Sequence, residues 1–285
     1  MTLLVFGQTG QVATELARRA PGAVFLDRDA ADLSDPASCA AAIRAHAPDA
    51  VINAAAWTAV DRAEEEENDG LVTSINAEAP GAMARECAAR GIPLVQISTD
   101  YVFDGTGTAA WRSDDTTAPL GVYGRSKLAG EQAVTAASGP HAILRTGWVF
   151  AAHGSNFVRT MLRLAQTRDQ LSIVDDQVGG PTPAADIAAA CLAIAEALRA
   201  DPGKSGIYHY SGTPETSWKD FATAIFAMAG RDVAVAGIPT ADYPTPAQRP
   251  LNSRLDCSTT KTAFGLDQPD WRVGLRDVLT DMGEI

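Results

Sequence analysis

The sequence predicts an α/β protein: a doubly wound parallel sheet followed by a smaller, mixed α/β lobe. Three observations carry that expectation. Short runs that are apolar throughout alternate with alanine-rich stretches of helical length. The first apolar run leads directly into the glycine turn "GQTGQVA". Past Phe150 the alternation loosens into the loops "AAHGSN", "DDQVGGPTP" and "IPTADYPTPAQRPLNSR". Strands without a polar face are buried on both sides, which is the pattern of a parallel sheet covered by helices.

In chain order, "LLVFG" reads as a first strand and a helix follows to Arg19. "AVFLD" is the second strand, succeeded by a helix around Ser38 to Ala47. "AVINAAA" and a helix across Ala77 to Arg90 come next, then "PLVQIST", a helix from Tyr123, and "AILRTGWVF". Helical pattern returns at Ala184 to Ala200, at Ser217 to Ala229 and near the C-terminus. Residues 1–150, completed by 184–205, are expected to form the dinucleotide-binding domain. Residues 151–183 and 206–285 are expected to form the substrate-binding lobe, with a cleft between the two.

Composition narrows the function. A formal charge of -12 leaves no clustered Lys and Arg for a phosphate backbone, so a nucleic-acid partner is not expected. No apolar run approaches a membrane span, and "MTLLVFG" enters a glycine turn rather than a signal peptide. Cys39, Cys87, Cys191 and Cys257 show no paired spacing, which reads as reduced thiols in a cytoplasmic protein. His46, His141, His153 and His209 lack ligand spacing, so no zinc site is expected.

The glycine turn points to a dinucleotide. Gly7 permits the tight turn, Gly10 lets backbone approach a pyrophosphate, and Ala13 allows close helix packing. The opening helix, with Gln11 and Val12 in its first turn, favours phosphate charge at its N-terminus. The second strand ends at Asp27, where an acid commonly meets the adenosine ribose, and Arg28 follows, positioned to accept a 2′-phosphate. Asp27 favours NADH and Arg28 favours NADPH, so either cofactor fits. Asp32 and Leu33 are candidates to line the adenine, Asp32 serving equally well as a turn residue.

"PLGVYGRSKLAGEQA" places Tyr123 and Lys127 four residues apart, on one face of a helix. Taken with "GxxGxxA", "NAAAWT" and "STDYVFDG", this Tyr-x-x-x-Lys pair resembles the extended short-chain dehydrogenase/reductases. Within that family the likeness is to reductases of dTDP-4-keto-6-deoxysugars. It runs through "FGQTGQV", "VINAAAWTAVDRAE", "STDYVFDGTG", "APLGVYGRSKLAGE", "LRTGWVF", "FVRTMLRLA", "DDQVGGPT" and "RPLNSRLD" in order. The resemblance implies that Thr99, Tyr123 and Lys127 are the catalytic triad. Lys127 also holds the nicotinamide ribose in this reading, and its charge, together with that of the oxidised nicotinamide, is expected to lower the pKa of the Tyr123 phenol. The resemblance further implies that Ala56, Trp57 and Thr58 line the cofactor, with Trp57 standing where the family has histidine. Asp100 and Trp148 are implied at the substrate sugar, and Arg249 and Asn252 at the nucleotide diphosphate. Trp148 as core filling and Arg249 as a solvated loop charge are the plainer readings of the same residues.

The expected partner is a dTDP-sugar, and the chain is expected to act as a monomer or homodimer. Glu15, Asp186 and Asp281 match positions that bind magnesium at a dimer contact in some relatives, but Mg²⁺ is not favoured and no metal ligand is assigned. A nucleotide-sugar epimerase or dehydratase on the same fold remains an alternative. So does a non-catalytic NADP-binding regulatory subunit of the methionine adenosyltransferase type, although an intact Thr99, Tyr123 and Lys127 set argues against it.

Overall fold

The computed structural model describes residues 2–285. Strand β1 (Leu3–Phe6), helix α1 (Gln11–Arg19), β2 (Val24–Leu26), α2 (Pro36–His46) and β3 (Ala50–Asn53) open the large sheet. A short helix α3 (Asp69–Thr73) runs through a π-helical turn at Ser74–Glu78 into α4 (Ala79–Arg90). Then come β4 (Leu94–Thr99), α5 (Val122–Ala136) and β5 (His141–Thr146). The six-stranded sheet has the order β10-β5-β4-β3-β1-β2, its sixth strand β10 being Gly206–His209, and all its pairings are parallel.

The alternation of side chains along β1 splits its core in two. Leu3 and Val5 pack with Val12 and Leu16 of α1 and with Ile187, Cys191 and Ile194 of α7 (Ala184–Ala200). Leu4 and Phe6 face the other way, onto Cys39 and Ile43 of α2 and Met83 of α4. All these side chains are buried, so each face of the sheet is sealed by helices and the strands carry no polar face. The chain moves from β1 outward to β2, then returns to place β3 on the other side of β1. The loops after β1 and β3 therefore flank a topological switch point, where open α/β sheets bind ligands.

The second lobe holds β6 (Val149–Phe150), α6 (Phe157–Leu164), β7 (Gln170–Val174), β8 (Val178–Gly179) and β9 (Thr182–Pro183). Beyond α7 and β10 it continues with β11 (Thr216–Ser217), α8 (Trp218–Met228), β12 (Ala234–Ile238), β13 (Asn252–Ser253), α9 (Ser258–Phe264) and α10 (Trp271–Asp281). Its core gathers Phe150, Phe221, Trp271 and Leu275 between α6, α8 and α10. A three-stranded sheet, β11-β8-β13, brings Gly179 and Ser253 toward the end of β5.

Three sequence expectations shift. The expected boundary at 205/206 cuts before β10, yet this strand pairs with β5 along Gly206–His209 and belongs to the large sheet. Phe264 of α9 also packs on the dinucleotide-domain core, at Tyr208. The helix expected to start at Ala77 begins eight residues earlier, because the π turn carries Asn76 through a position where asparagine is a poor helix former. The "AILRTGWVF" run breaks at Gly147–Trp148, where Trp148 takes φ of 52° and redirects the chain into β6.

Candidate active site

The glycine turn has the geometry that its residue types require. Gly7 sits at φ 104°, and a Cβ there would lie 3.4 Å from the Ala54 backbone, so a side chain would be strained and would press on the loop after β3. Gly10 caps α1 without a side-chain hydrogen bond, which leaves the first-turn N–H groups at Gln11 and Val12 for an anion. Val12 turns its side chain into the core, so its own contribution would come from backbone. The Gln11 amide oxygen instead accepts from Asn156 at 3.0 Å, tying the turn to the second lobe. Asp27 and Arg28 stand exposed just past β2, with one Asp27 oxygen accepting from the Ala30 N–H at 2.9 Å. Asp32 accepts from the Ser34 N–H, and that bond holds its carboxyl below the ordinary range. Leu33 is buried among the α2 core side chains. These residues fit a dinucleotide along the ends of β1 and β2.

Past β3, Ala56 and Trp57 are half-buried and Thr58 is exposed. Trp57 is fixed at both ends of its peptide: its N–H donates to the Asn76 side chain at 2.9 Å, and its carbonyl accepts from the same amide at 3.1 Å. Asn76 also donates to the Ser126 hydroxyl of α5 at 3.0 Å. One asparagine thus locks the loop after β3 to the helix carrying Tyr123 and Lys127. The sequence reading missed Asn76; its signal was an asparagine inside an otherwise helical run.

Helix α5 begins at Gly121, which has no side chain to cap it, and the Glu64 carboxylate reaches in to accept from the Val122 N–H at 2.7 Å. Tyr123 is therefore held in the first turn of a helix capped from another loop. Its ring packs edge-on against Tyr101, centroids 5.5 Å apart. Lys127, one turn on, is 4% exposed and donates to the Ile97 carbonyl of β4 at 2.7 Å. Burial pulls the Lys127 pKa down to about 8, with Glu131 pulling it back up. Burial pushes the Tyr123 phenol up to about 12, only partly offset by the neighbouring Thr99 hydroxyl. The expected lowering of the phenol by Lys127 is thus not what this structure has: the ammonium is directed at Ile97, and desolvation governs the phenol.

Thr99 ends β4 and Asp100 follows in a short turn. The Thr99 hydroxyl donates to Asp100 Oδ1 at 3.0 Å. Asp100 is buried and, among the described residues, its Oδ2 has no hydrogen-bond partner. Burial raises its pKa to about 6, the hydroxyls of Ser253 and Thr99 lowering it in part. Trp148 stacks on Trp218 with centroids 3.5 Å apart, and a Cβ on Gly179 would press on its ring. Core filling by Trp148 is therefore only half of its packing; the other constraint is its left-handed backbone at the end of β5.

Arg249 comes from the second lobe to pair with Asp61 of the first, Nη2 to Oδ2 at 2.7 Å, while its buried Nη1 has no partner among the described residues. It is not a solvated loop charge, since its side chain is 20% exposed and its charge bears on Tyr101. Asn252, expected at the diphosphate, is engaged within the protein. Its Nδ2 donates to the Thr106 and Ala109 carbonyls and its Oδ1 accepts from Arg254, so both donors are spent on the loop after Asp100. Glu15, Asp186 and Asp281 do converge, around a cavity of about 290 Å³ between α1, α7 and α10. There Glu15 is already paired with Arg18, Arg19 and His153, and Arg18 also holds Asp281.

The whole chain has close likenesses. The family model described as the RmlD substrate binding domain matches residues 1–284. A dTDP-4-dehydrorhamnose reductase of Sinorhizobium fredii is 43% identical, over 97% of this chain and 96% of its own. The crystal structure of a dTDP-4-dehydrorhamnose reductase from Clostridium acetobutylicum superposes with a TM-score of 0.92 at 34% identity, covering 99% of this chain and 100% of that one. The Bacillus anthracis enzyme of the same name, solved in complex with NADP, gives 0.91 at 32% identity with the same coverage. With a glycine turn, a Tyr-x-x-x-Lys helix and likeness over its full length, the chain belongs to the RmlD family of dTDP-4-dehydrorhamnose reductases.

Proposed function

We propose that this protein reduces the C4 ketone of dTDP-6-deoxy-L-lyxo-4-hexulose to give dTDP-L-rhamnose, with NADPH or NADH as reductant. The observation that carries this is the meeting of Thr99, Tyr123 and Lys127 at the carboxyl end of β4, beside the switch point framed by Gly7 and Ala54. The nicotinamide cofactor supplies the hydride. The Thr99 hydroxyl, turned from Asp100 Oδ1 to the substrate, would donate to the ketone and polarise it. The Tyr123 phenol, pushed up to about 12, stays protonated at neutral pH and so can give its proton to the alkoxide forming at C4. Lys127, about 8, is mostly charged there and supports the cofactor ribose and the developing negative charge.

For the sugar, Asp100 offers an unpaired buried acceptor and Trp148 an aromatic wall. For the diphosphate, Arg249 offers its unpartnered Nη1. The order of elements supports a dinucleotide domain made of 1–150 with 184–209, the rest forming the substrate lobe. A cytoplasmic location accords with four buried free cysteines and with no described helix long and apolar enough to cross a membrane.

Elimination chemistry is disfavoured at one position. Extended-family dehydratases resemble "STDYVFDG" but carry Thr-Asp-Glu, an acidic pair that removes water across C5 and C6. Here the third residue is Tyr101, whose phenol burial drives further upward, so Asp100 lacks a carboxylate partner. The test is oxidation of NADPH or NADH in the presence of the 4-keto sugar, with stoichiometric loss of both. Incubation with dTDP-glucose and catalytic NAD is the counter-experiment, and enzymatic formation of a 4-keto-6-deoxy product would overturn the assignment.

A further inference from the structure

Three consecutive residues of β4 are fastened to three residues spaced by one turn along α5. The Ile97 carbonyl takes the Lys127 ammonium at 2.7 Å, the Ser98 hydroxyl donates to Glu131 Oε1 at 2.5 Å, and the Thr99 hydroxyl lies beside the Tyr123 phenol. Tyr123, Lys127 and Glu131 fall at i, i+4 and i+8, on one face of the helix. The middle rung is the unusual one, because it buries a carboxylate.

Glu131 is 2% exposed and Arg145 of β5 is 2% exposed. The guanidinium meets both carboxylate oxygens, Nε at 3.0 Å to Oε1 and Nη2 at 2.7 Å to Oε2. The far side of Arg145 is equally committed: Nη1 donates to the Ser113 carbonyl at 3.3 Å and faces His209 at 3.4 Å, and the plane lies over Phe103. Arg145 therefore cannot follow Glu131 if the helix shifts. A buried ion pair of this kind rarely adds net stability compared with apolar packing, so its presence beside the triad calls for another role.

We propose that Glu131 is a positioning residue of the site: clamped by Arg145 and Ser98, its carboxylate sets a fixed negative charge one helical turn from Lys127 and holds Ile97–Thr99 against the Tyr123–Lys127 face of α5. This rests on the reading of Lys127 as a working residue of a reductase. Among the described residues Lys127 itself closes no ion pair, and its only hydrogen bond is to a neutral carbonyl. Tyr123 on its own helix, Asp100 and Tyr101 after β4, Arg145 on β5 and His209 on β10 are the charged or titratable groups around this cluster. Of all these neighbours, only Glu131 shifts the ammonium, and it does so in the direction that retains charge, against the burial that lowers it to about 8.

The chain has four lysines, Lys127, Lys204, Lys219 and Lys261, so ¹³C labelling at lysine Cε gives four signals, with Lys127 assigned by Lys127→Arg. The free wild-type protein is expected to show a Lys127 midpoint near 8, and Glu131→Gln one lower by about one unit, as for loss of a nearby opposite charge. Ser98→Ala keeps the charge and should leave the midpoint nearly in place. The matching kinetic signature is a kcat/KM deficit for Glu131→Gln of about fivefold at pH 8 that closes by pH 6, the ratio of charged lysine at midpoints about one unit apart. Should Glu131→Gln fold poorly with Arg145 uncompensated, the pair Glu131→Gln with Arg145→Met removes both charges for the same titration. A Lys127 midpoint unmoved in a folded variant, or a kinetic deficit independent of pH, overturns the proposal. The titration is read without cofactor or sugar, so it stands or falls apart from the reductase activity.

Discussion

Replacing Asp100 with asparagine tests whether the free protein tolerates a badly solvated carboxylate at its site. The Asp100 pKa rises from an ordinary 3.8 to about 6 on folding, first because burial desolvates the charge, with nearby hydroxyls compensating in part. Between those two values the native state binds more protons than the unfolded chain, so this group lowers stability as pH climbs through the window. Two units correspond to about 3 kcal/mol, fully felt above pH 6. His209 works in the opposite sense over nearly the same range: its pKa falls to about 4 through burial and the neighbouring Arg145, so the native state binds fewer protons and stability rises with pH. The raw pH profile of the wild type therefore mixes the two, and only the difference between wild type and Asp100→Asn isolates Asp100. Urea denaturation of both proteins from pH 4 to 7 should show the asparagine variant gaining about 3 kcal/mol relative to wild type across that range. The same variant should bind the sugar nucleotide about 10–100-fold more weakly, the usual worth of a hydrogen bond to a charged group. A stability difference that stays flat from pH 4 to 7 would refute the argument, whatever happens to activity.

Tyr123→Phe should bind NADPH about as well as wild type, read by fluorescence titration, while turnover falls roughly 10²–10⁴-fold. Retention of more than half the activity would remove the phenol from the mechanism. Arg28→Ala should weaken NADPH selectively while leaving NADH nearly unaffected, and equal losses in KM for both would show that Arg28 does not meet the 2′-phosphate. Gly147→Ala places a Cβ 2.7 Å from Asp100 Oδ1, so thermal melts should show a loss of about 1–3 kcal/mol, accompanied by lower kcat/KM as the carboxylate is displaced. An unchanged melting temperature would show that Asp100 yields freely.

The parallel sheet was readable because its strands are apolar on both faces and its helices carry long, regular patterns; α7 runs over the same Ala184–Ala200 that its periodicity marks. β10 was not, because "GIYH" is four residues with no pattern of its own and takes its place only by pairing with β5. The glycine turn and the Tyr123–Lys127 pair were legible as local spacings, which backbone geometry translates directly into position. Glu64, Asn76, Glu131 and Arg145 were not, since each acts through a partner far along the chain: Glu64 on Val122, Asn76 on Trp57 and Ser126, Glu131 on Ser98 and Arg145. The clamp by Asn252 was hidden for the same reason, because a loop asparagine looks free until the loop it holds is folded beside it.

The conflicts of this structure are unevenly placed, and their distribution bears on function. Trp148 holds a left-handed backbone that a bulky side chain resists, Asp100 keeps an unpaired buried oxygen, and Lys127 is buried against a neutral carbonyl. Each costs on the order of 1–3 kcal/mol in isolation. In contrast, the apolar residues of β1 and β3 are buried with no such conflict. These three groups lie at the carboxyl ends of β4 and β5 or on the helix packed against them, the edge at which an open α/β sheet presents its ligand. Left-handed backbone alone does not mark this edge, because Ala47 and Ser138 share it just before β3 and β5 at the opposite end; what sets the edge apart is that the unpaired buried oxygen and the buried lysine join it there. A site that must hold a charged lysine, an acceptor for a sugar hydroxyl and a fixed aromatic wall before its ligand arrives has to carry these costs in the free protein, and the rigid sheet beneath supplies the stability that lets it do so.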